Sequence, residues 1–255
     1  MRRGNCELCC LEGETTIFPM GNRKGFTAIY CSLLVFGLLA CETEDHGPVQ
    51  SSDKEFSIID FNRLEIGSAL NVSVEQSAIY SVKVKGDRRN IDDLEVSKSG
   101  NTLIIRFDEN ANRIHETYIT ITMPLLEGAN FSDASTSTIN GFESNGDLDL
   151  YISGASVCQF NAGYREINLS LSGASNLLMS GLGDEVNATV SGASVLTAFD
   201  YPVREADINL SGASNGKVTV TDELRAVAEG ASSLIYRGNP SVTSQISGGS
   251  AVIKE

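Results

Sequence analysis

A four-residue phrase, Ser-Gly-Ala-Ser, returns through the second half of this chain and limits what it can fold into. It stands at 153–156, 172–175, 191–194 and 211–214. Degenerate copies lie at 229–232 and 247–250, and an earlier one at 132–135 carries Asp133 in place of the glycine. Successive copies are 18 to 21 residues apart. A near-constant period of this length is the mark of a solenoid, in which each repeat is one coil of a stack.

The residues before each glycine say what the coil is made of. Two, four and six places back stand Ile152, Leu150 and Leu148, then Leu171, Leu169 and Ile167, then Val190, Ala188 and Val186, then Leu210, Ile208 and Ala206. Polar residues fill most of the places between. Strict alternation describes a strand with one dry and one wet face. Short apolar runs also follow each phrase, at 157–160, 176–179, 195–199, 218–220 and 234–236. Glycine lets the chain bend where other residues cannot, and small Ala and Ser let successive bends stack. A helix is excluded, because apolar residues recur at spacing two and glycine interrupts every unit.

The fold expected is therefore all-β, a single-stranded parallel β-helix with coils of about 18–21 residues. Each buried aliphatic contributes about 1.5–3 kcal/mol, so stacking makes one continuous core from thin layers. A β-sandwich or barrel is the competing architecture, and the fixed period disfavours it. Whether the last Ser of each corner points in or out is left open, because a bend resets the alternation.

The chain divides into three parts. Residues 1–41 read as a signal segment. Within it, Met20 is the sensible start, followed by Arg23, Lys24 and a 15-residue apolar run at 26–40. Residues 1–19 read as a mis-called gene start, the other reading being a long basic leader. The apolar run is shorter than the roughly 20 residues needed to span a bilayer and fits a signal peptide. It closes on Leu38-Leu39-Ala40-Cys41, which resembles the lipobox of bacterial lipoproteins. The resemblance implies cleavage before Cys41, lipidation of that residue, and a cell-envelope address at the outer membrane. Residues 42–54 are polar and unpatterned, a flexible tether. The acids Glu42, Glu44 and Asp45 are similar to export signals of surface lipoproteins, or are simply part of a solvated linker.

Residues 55–255 form the β-helix domain. Irregular strands are expected at 56–61, 70–74, 80–85, 94–97, 102–107 and 118–123, with a helical turn in the loop 86–93. These are read as the first coils and cap, and 242–255 as a polar cap at the other end. The body as a whole resembles the putative auto-transporter adhesin, head GIN domain family of bacterial lipoproteins. The opening 56–70, the pair 79–84 and 94–107, the stretch 118–124 leading into Ser132-Asp133-Ala134-Ser135, and the serial Ser-Gly-Ala-Ser phrases carry it. The resemblance implies a right-handed β-helix outside the cytoplasm and an adhesin-like role, with no catalytic residues to carry over.

The residues offer little chemistry. There are two histidines, His46 and His115, and neither accompanies a nucleophile elbow Gly-x-Ser-x-Gly. The cysteines Cys6, Cys9 and Cys10 lack a second cluster for zinc, and Cys158 reads as a small core residue. A net charge of −14 argues against nucleic acid. No cofactor is expected. Acids recur about once per coil: Asp147 and Asp149, Asp184 and Glu185, Asp207, Asp222 and Glu223. They suit a solvated face first, and otherwise calcium or glycoside hydrolysis.

The function expected is a lipid-anchored, non-catalytic binding module. Its ligand, a glycan or an envelope or surface protein, would lie on an outward ladder of Tyr151, Asn168, Ser170, Asn187, Thr189 and Asn209. A polysaccharide-active enzyme is the alternative, and three carboxylates with an arginine in one cleft would favour it.

Overall fold

The computed structural model describes residues 47–108 and 113–255. Its elements run β1 (Ser51–Phe56), β2 (Arg63–Ile66), β3 (Asn71–Gln76), β4 (Ser81–Asp87), α1 (Arg88–Asp92), β5 (Leu94–Ser99), β6 (Thr102–Phe107), β7 (Thr117–Met123) and β8 (Gly128–Phe131). Then come the long strands β9 (Thr136–Ile152), β10 (Val157–Leu171), β11 (Asn176–Val190), β12 (Val195–Leu210) and β13 (Asn215–Ala228). The last are β14 (Ser233–Arg237), β15 (Ser241–Ile246) and β16 (Ala251–Lys254). The chain is a parallel β-solenoid of about seven turns, as its period requires.

Each long strand leaves one corner, bends midway with shifts in register, and ends at the next corner. A coil thus has a post-corner half and a pre-corner half, and each half stacks in parallel on its counterpart in the next coil. Val157 lies on Asn176 and that on Val195, while Leu169 lies on Ala188 and that on Ile208. The apolar residues counted back from each glycine all point inward and are buried, from Leu148 to Leu210. Phe160, Met179, Leu196 and Val218 fill the core from the post-corner side. Cys158 is among them, and burial pushes its thiol up to about 12.

The corners answer the question that alternation left open. Ser135, Ser156, Ser175, Ser194 and Ser214 point inward and are wholly buried. Their hydroxyls satisfy main-chain groups: Ser175 N–H donates to Ser194 Oγ at 3.3 Å, and Ser175 Oγ donates to the Ser172 carbonyl at 2.8 Å. The corner main chain is laddered too, with Ala193 N–H donating to the Gly173 carbonyl at 2.8 Å and Ala213 N–H to that of Gly192 at 2.8 Å. Gly212 has φ +75, and a Cβ there would sit 2.7 Å from the Gly192 carbonyl oxygen. Left-handed backbone and close stacking together demand glycine.

The N-terminal region departs from the simple stack. β2 and β3 form one coil around a corner at 67–70, and β8 and β9 lie on one side of it. On its other side lie β6 and β7, which come later in sequence than β2 and β3. Antiparallel strands then finish the end: β4 on β7, β1 on β4, and β5 on β6. The expected strand at 56–61 is therefore replaced by β1 and β2, because Phe56 pairs with Val82 and the chain turns beyond it. β1 begins at Ser51, so 51–54 of the expected tether is an edge strand. The expected helical turn is α1, capped by Asp87, whose side chain accepts from Arg89 N–H at 3.0 Å.

The far end differs from the polar cap expected there. β15 is exposed along its whole length, and Val242, Ile246 and Ile253 are exposed apolar residues. The signal segment, Cys41 and His46 lie outside the described residues.

Candidate functional site

The pre-corner halves of the coils carry three outward columns. The register sets Asp149 beside Asn168, Asn187 and Asp207, and Tyr151 beside Ser170, Thr189 and Asn209. The third column is acidic throughout: Asp147, Glu166, Glu185, Glu205 and Glu223. Each of these acids stands seven residues before a corner glycine, and neighbours are about one strand spacing apart, ~4.8 Å. Like charges side by side weaken a sheet, and arginines between the coils offset this. Arg165 pairs with Asp147 and, at 3.3 Å, with Glu166. Arg204 reaches Glu205 at 3.7 Å and Asp222 at 3.2 Å, and Arg225 reaches Glu223 at 2.8 Å. The Asp222 carboxyl is held below the usual range by hydrogen bonds from Thr221 and Arg204.

All six residues expected to form a binding ladder come together. Tyr151, Asn168, Ser170, Asn187, Thr189 and Asn209 line one shallow concavity of about 380 Å³, with Asp207 at its edge. Side-chain hydrogen bonds run along it. Asn168 donates to Asp149 at 3.4 Å, and Asn209 to Asp207 at 3.2 Å. Asn187 faces Glu185 at 3.1 Å, Glu166 at 3.3 Å and Asn168 Oδ1 at 3.4 Å. Tyr151 is 48% exposed, so its ring forms an open wall.

No curated protein sequence matches this chain. Residues 60–240 match the model of the family described as putative auto-transporter adhesin, head GIN domain. The chain belongs to that family. Among solved structures, the head GIN domain superposes on a putative adhesin from Bacteroides fragilis with TM-score 0.70 and 18% identity, over 81% of this chain and 94% of that one. It superposes on a putative adhesin from Parabacteroides merdae with TM-score 0.66 and 18% identity, over 80% and 96%. A putative lipid binding protein from Parabacteroides distasonis gives TM-score 0.67 and 18% identity, over 80% and 96%. At such identity these likenesses establish the fold and nothing finer.

A second concavity of the head GIN domain adjoins the first through Asn168. It measures about 460 Å³ and is lined by Arg63, Glu127, Asp147 and Asp149 among others. Three carboxylates and an arginine therefore share one cleft, an arrangement the sequence did not reveal because Arg63 lies in the irregular β2 and Glu127 in the loop before β8, both outside the regular repeat. Each acid already has a partner. Arg63 pairs with Asp149 at 2.6 Å, Asn62 donates to Glu127 at 2.6 Å, and Arg165 holds Asp147.

His115 lies at the N-terminal end, with Nε2 3.1 Å from the Gly47 carbonyl oxygen and 4.0 Å from Asp87. Among the described residues no three of the His, Cys, Asp and Glu side chains converge on a point that could hold a metal ion. Stacking sets the recurring acids in columns along the solenoid.

Proposed function

We propose that this chain is a lipid-anchored, non-catalytic binding module of the cell envelope, adhesin-like in action, which holds an extended ligand along its outward pre-corner face. The observation that carries the reading is the gathering of six ladder residues from successive coils into one open concavity. A shallow, regular, polar surface suits a long repeating ligand better than a small molecule, which needs an enclosed pocket. Membership of an adhesin-like family supports the envelope address, and Leu38-Leu39-Ala40-Cys41 supports the lipid anchor. Exchanging Asn168, Asn187 and Asn209 together for Ala should weaken attachment of cells or purified protein to its partner surface and leave the fold intact. Undiminished attachment by that folded variant would move the site elsewhere. Cys41→Ser should abolish lipid labelling and release the protein from the membrane fraction, and a variant still bound to membrane would contradict the anchor.

The cleft of Arg63, Glu127, Asp147 and Asp149 favours a second reading, a polysaccharide-active enzyme. It is the weaker one. A general acid is a carboxyl kept protonated by a dry site, whereas Asp149 and Asp147 have side chains 34% and 50% exposed and paired with guanidinium groups. Depolymerisation of a polysaccharide by the purified protein, lost in Glu127→Gln, would establish it instead.

A further inference from the structure

The binding reading leaves the ligand's chemistry open, and the hydrogen-bond polarity of the groove narrows it. Carboxylates only accept hydrogen bonds, while a carboxamide has one end of each kind. An Asn set among acids must therefore turn its NH2 group toward them and its oxygen away. Every ladder amide obeys. Asn168 gives its nitrogen to Asp149, Asn209 gives its own to Asp207, and Asn187 spreads its own over Glu185, Glu166 and Asn168 Oδ1. The guanidinium groups around the groove are likewise engaged, Arg63 with Asp149, Arg165 with Asp147 and Glu166, and Arg225, which stacks on Asp207, with Glu223. What the groove offers outward is acceptor oxygen from amides and carboxylates, together with the hydroxyls of Ser170, Thr189 and Tyr151, which both accept and donate but carry no charge.

Resting on that binding reading, we infer that the ligand is an uncharged, hydroxyl-rich glycan. It lies along the solenoid axis, gives its hydroxyl protons to the acceptor columns and sets one sugar face against Tyr151. An acidic glycan brings carboxylates or sulfates to a surface whose neighbouring guanidinium groups are already paired with carboxylates and which has a column of five acids at its side. A polyamine would find acceptors, but Asp149 and Glu166 already share their charge with Arg63 and Arg165, and the open Tyr151 ring matches the apolar face of a sugar. The coil repeat of ~4.8 Å is comparable with the length of a hexose unit, so successive sugars meet successive coils.

The test is an array of immobilised neutral, uronic-acid or sulfated, and amino glycans, probed with the full-length protein in detergent. The expected result is binding confined to neutral members and little changed by salt, since no counterions are displaced. The Asn168, Asn187 and Asn209 triple Ala variant should lower that signal about tenfold or more, as the loss of one or two net hydrogen bonds implies. Glu166→Gln with Glu185→Gln removes two charges beside the Asn187 amide and sets NH2 donors in the acidic column. This variant should weaken neutral binding and admit acidic glycans that the native groove excludes. Strongest binding to an acidic or an amino glycan would overturn the inference and leave the binding reading standing. Attachment of cells without binding to any glycan would do the same. Binding to neutral glycans undiminished in the triple variant would overturn the inference and the proposed face together.

Discussion

The regular coils from β9 to β13 and the N-terminal end from β1 to β7 are built from the same strands on different plans. In the coils both halves of each long strand pair with their counterparts one period away, so inward, outward and corner positions each form a column. At the N-terminal end the stack is closed by antiparallel pairs and by side chains that act once. Asp87 is the centre of that closure. Its carboxylate accepts from Arg89 Nε at 2.8 Å, Gln50 N–H at 2.9 Å and Arg89 N–H at 3.0 Å. Arg113 lies over the Phe107 ring at 3.8 Å, and Asn90 donates to the His115 carbonyl at 2.8 Å. Repetition builds length cheaply, and a single irregular device protects the edge that repetition would leave open.

The contrast breaks most visibly under a charge in the core. Leu169→Asp puts an unpartnered carboxylate in the middle of the stack, where Leu169 is 3% exposed, at a cost of ~4 kcal/mol or more. Leu103→Asp does the same in β6, nearer the end. In a stack whose coils contact only their neighbours, the first should strip amide-exchange protection from coils on both sides. The second should strip it from 51–107 and spare 166–228. Uniform loss in both variants would mean that the two regions fold as one unit.

Glycine substitutions sharpen the same comparison at a smaller scale. Gly100 in the turn between β5 and β6 has φ +56 and open space around its Cβ position, so Gly100→Ala should cost about 1–2 kcal/mol from backbone strain alone. Gly212→Ala adds a clash with the Gly192 carbonyl, worth about 1–3 kcal/mol more. Equal melting temperatures for the two variants would refute the close stacking of corners.

Acid separates the regions next. Hydrogen bonds from the Arg89 side chain and then from Gln50 N–H hold the Asp87 carboxyl well below the usual range. A depressed folded value means that its contribution is complete above the unfolded value of about 3.9. The contribution is lost as pH falls through the folded value. Amide protection of 81–92 should therefore decline below about pH 4, and Asp87→Asn should remove that part of the decline and show weaker protection at neutral pH. A wild-type profile retained by Asp87→Asn would show that the carboxylate carries no such linkage.

These regions also differ in how far the sequence discloses them. Inward columns such as Leu150, Leu169, Ala188 and Ile208 were readable because alternation is local and the glycine marks its phase. The ladder of Asn168, Asn187 and Asn209 followed from the same phase. The corner at 67–70 was hidden, since Ser68 and Ala69 take positive φ there without glycine at either position. The order of β2, β3, β6 and β7 was hidden as well, because it rests on pairings such as Val72 with Ile119 that no local pattern announces. Among the recurring acids, Glu166 and Glu205 completed a column only when the count was carried seven places back from the glycine. Exposed Val242 and Ile246 continue the inward column of Leu224 and Ala228, so the pattern that marks a core position also marks the last coil, where nothing in the described chain covers it.

On the proposed function the inward columns carry stability and the outward ones binding, and Ser170→Asp tests that division in one preparation. Ser170 lies outward at the centre of the ladder, between Tyr151 and Thr189, one residue from Leu169. A carboxylate there meets solvent on the folded protein but intrudes on the ligand's path. The melting curve should match wild type to within about 0.5 kcal/mol of stability, while attachment to the partner surface falls. An unchanged melting curve together with undiminished attachment would contradict the central claim.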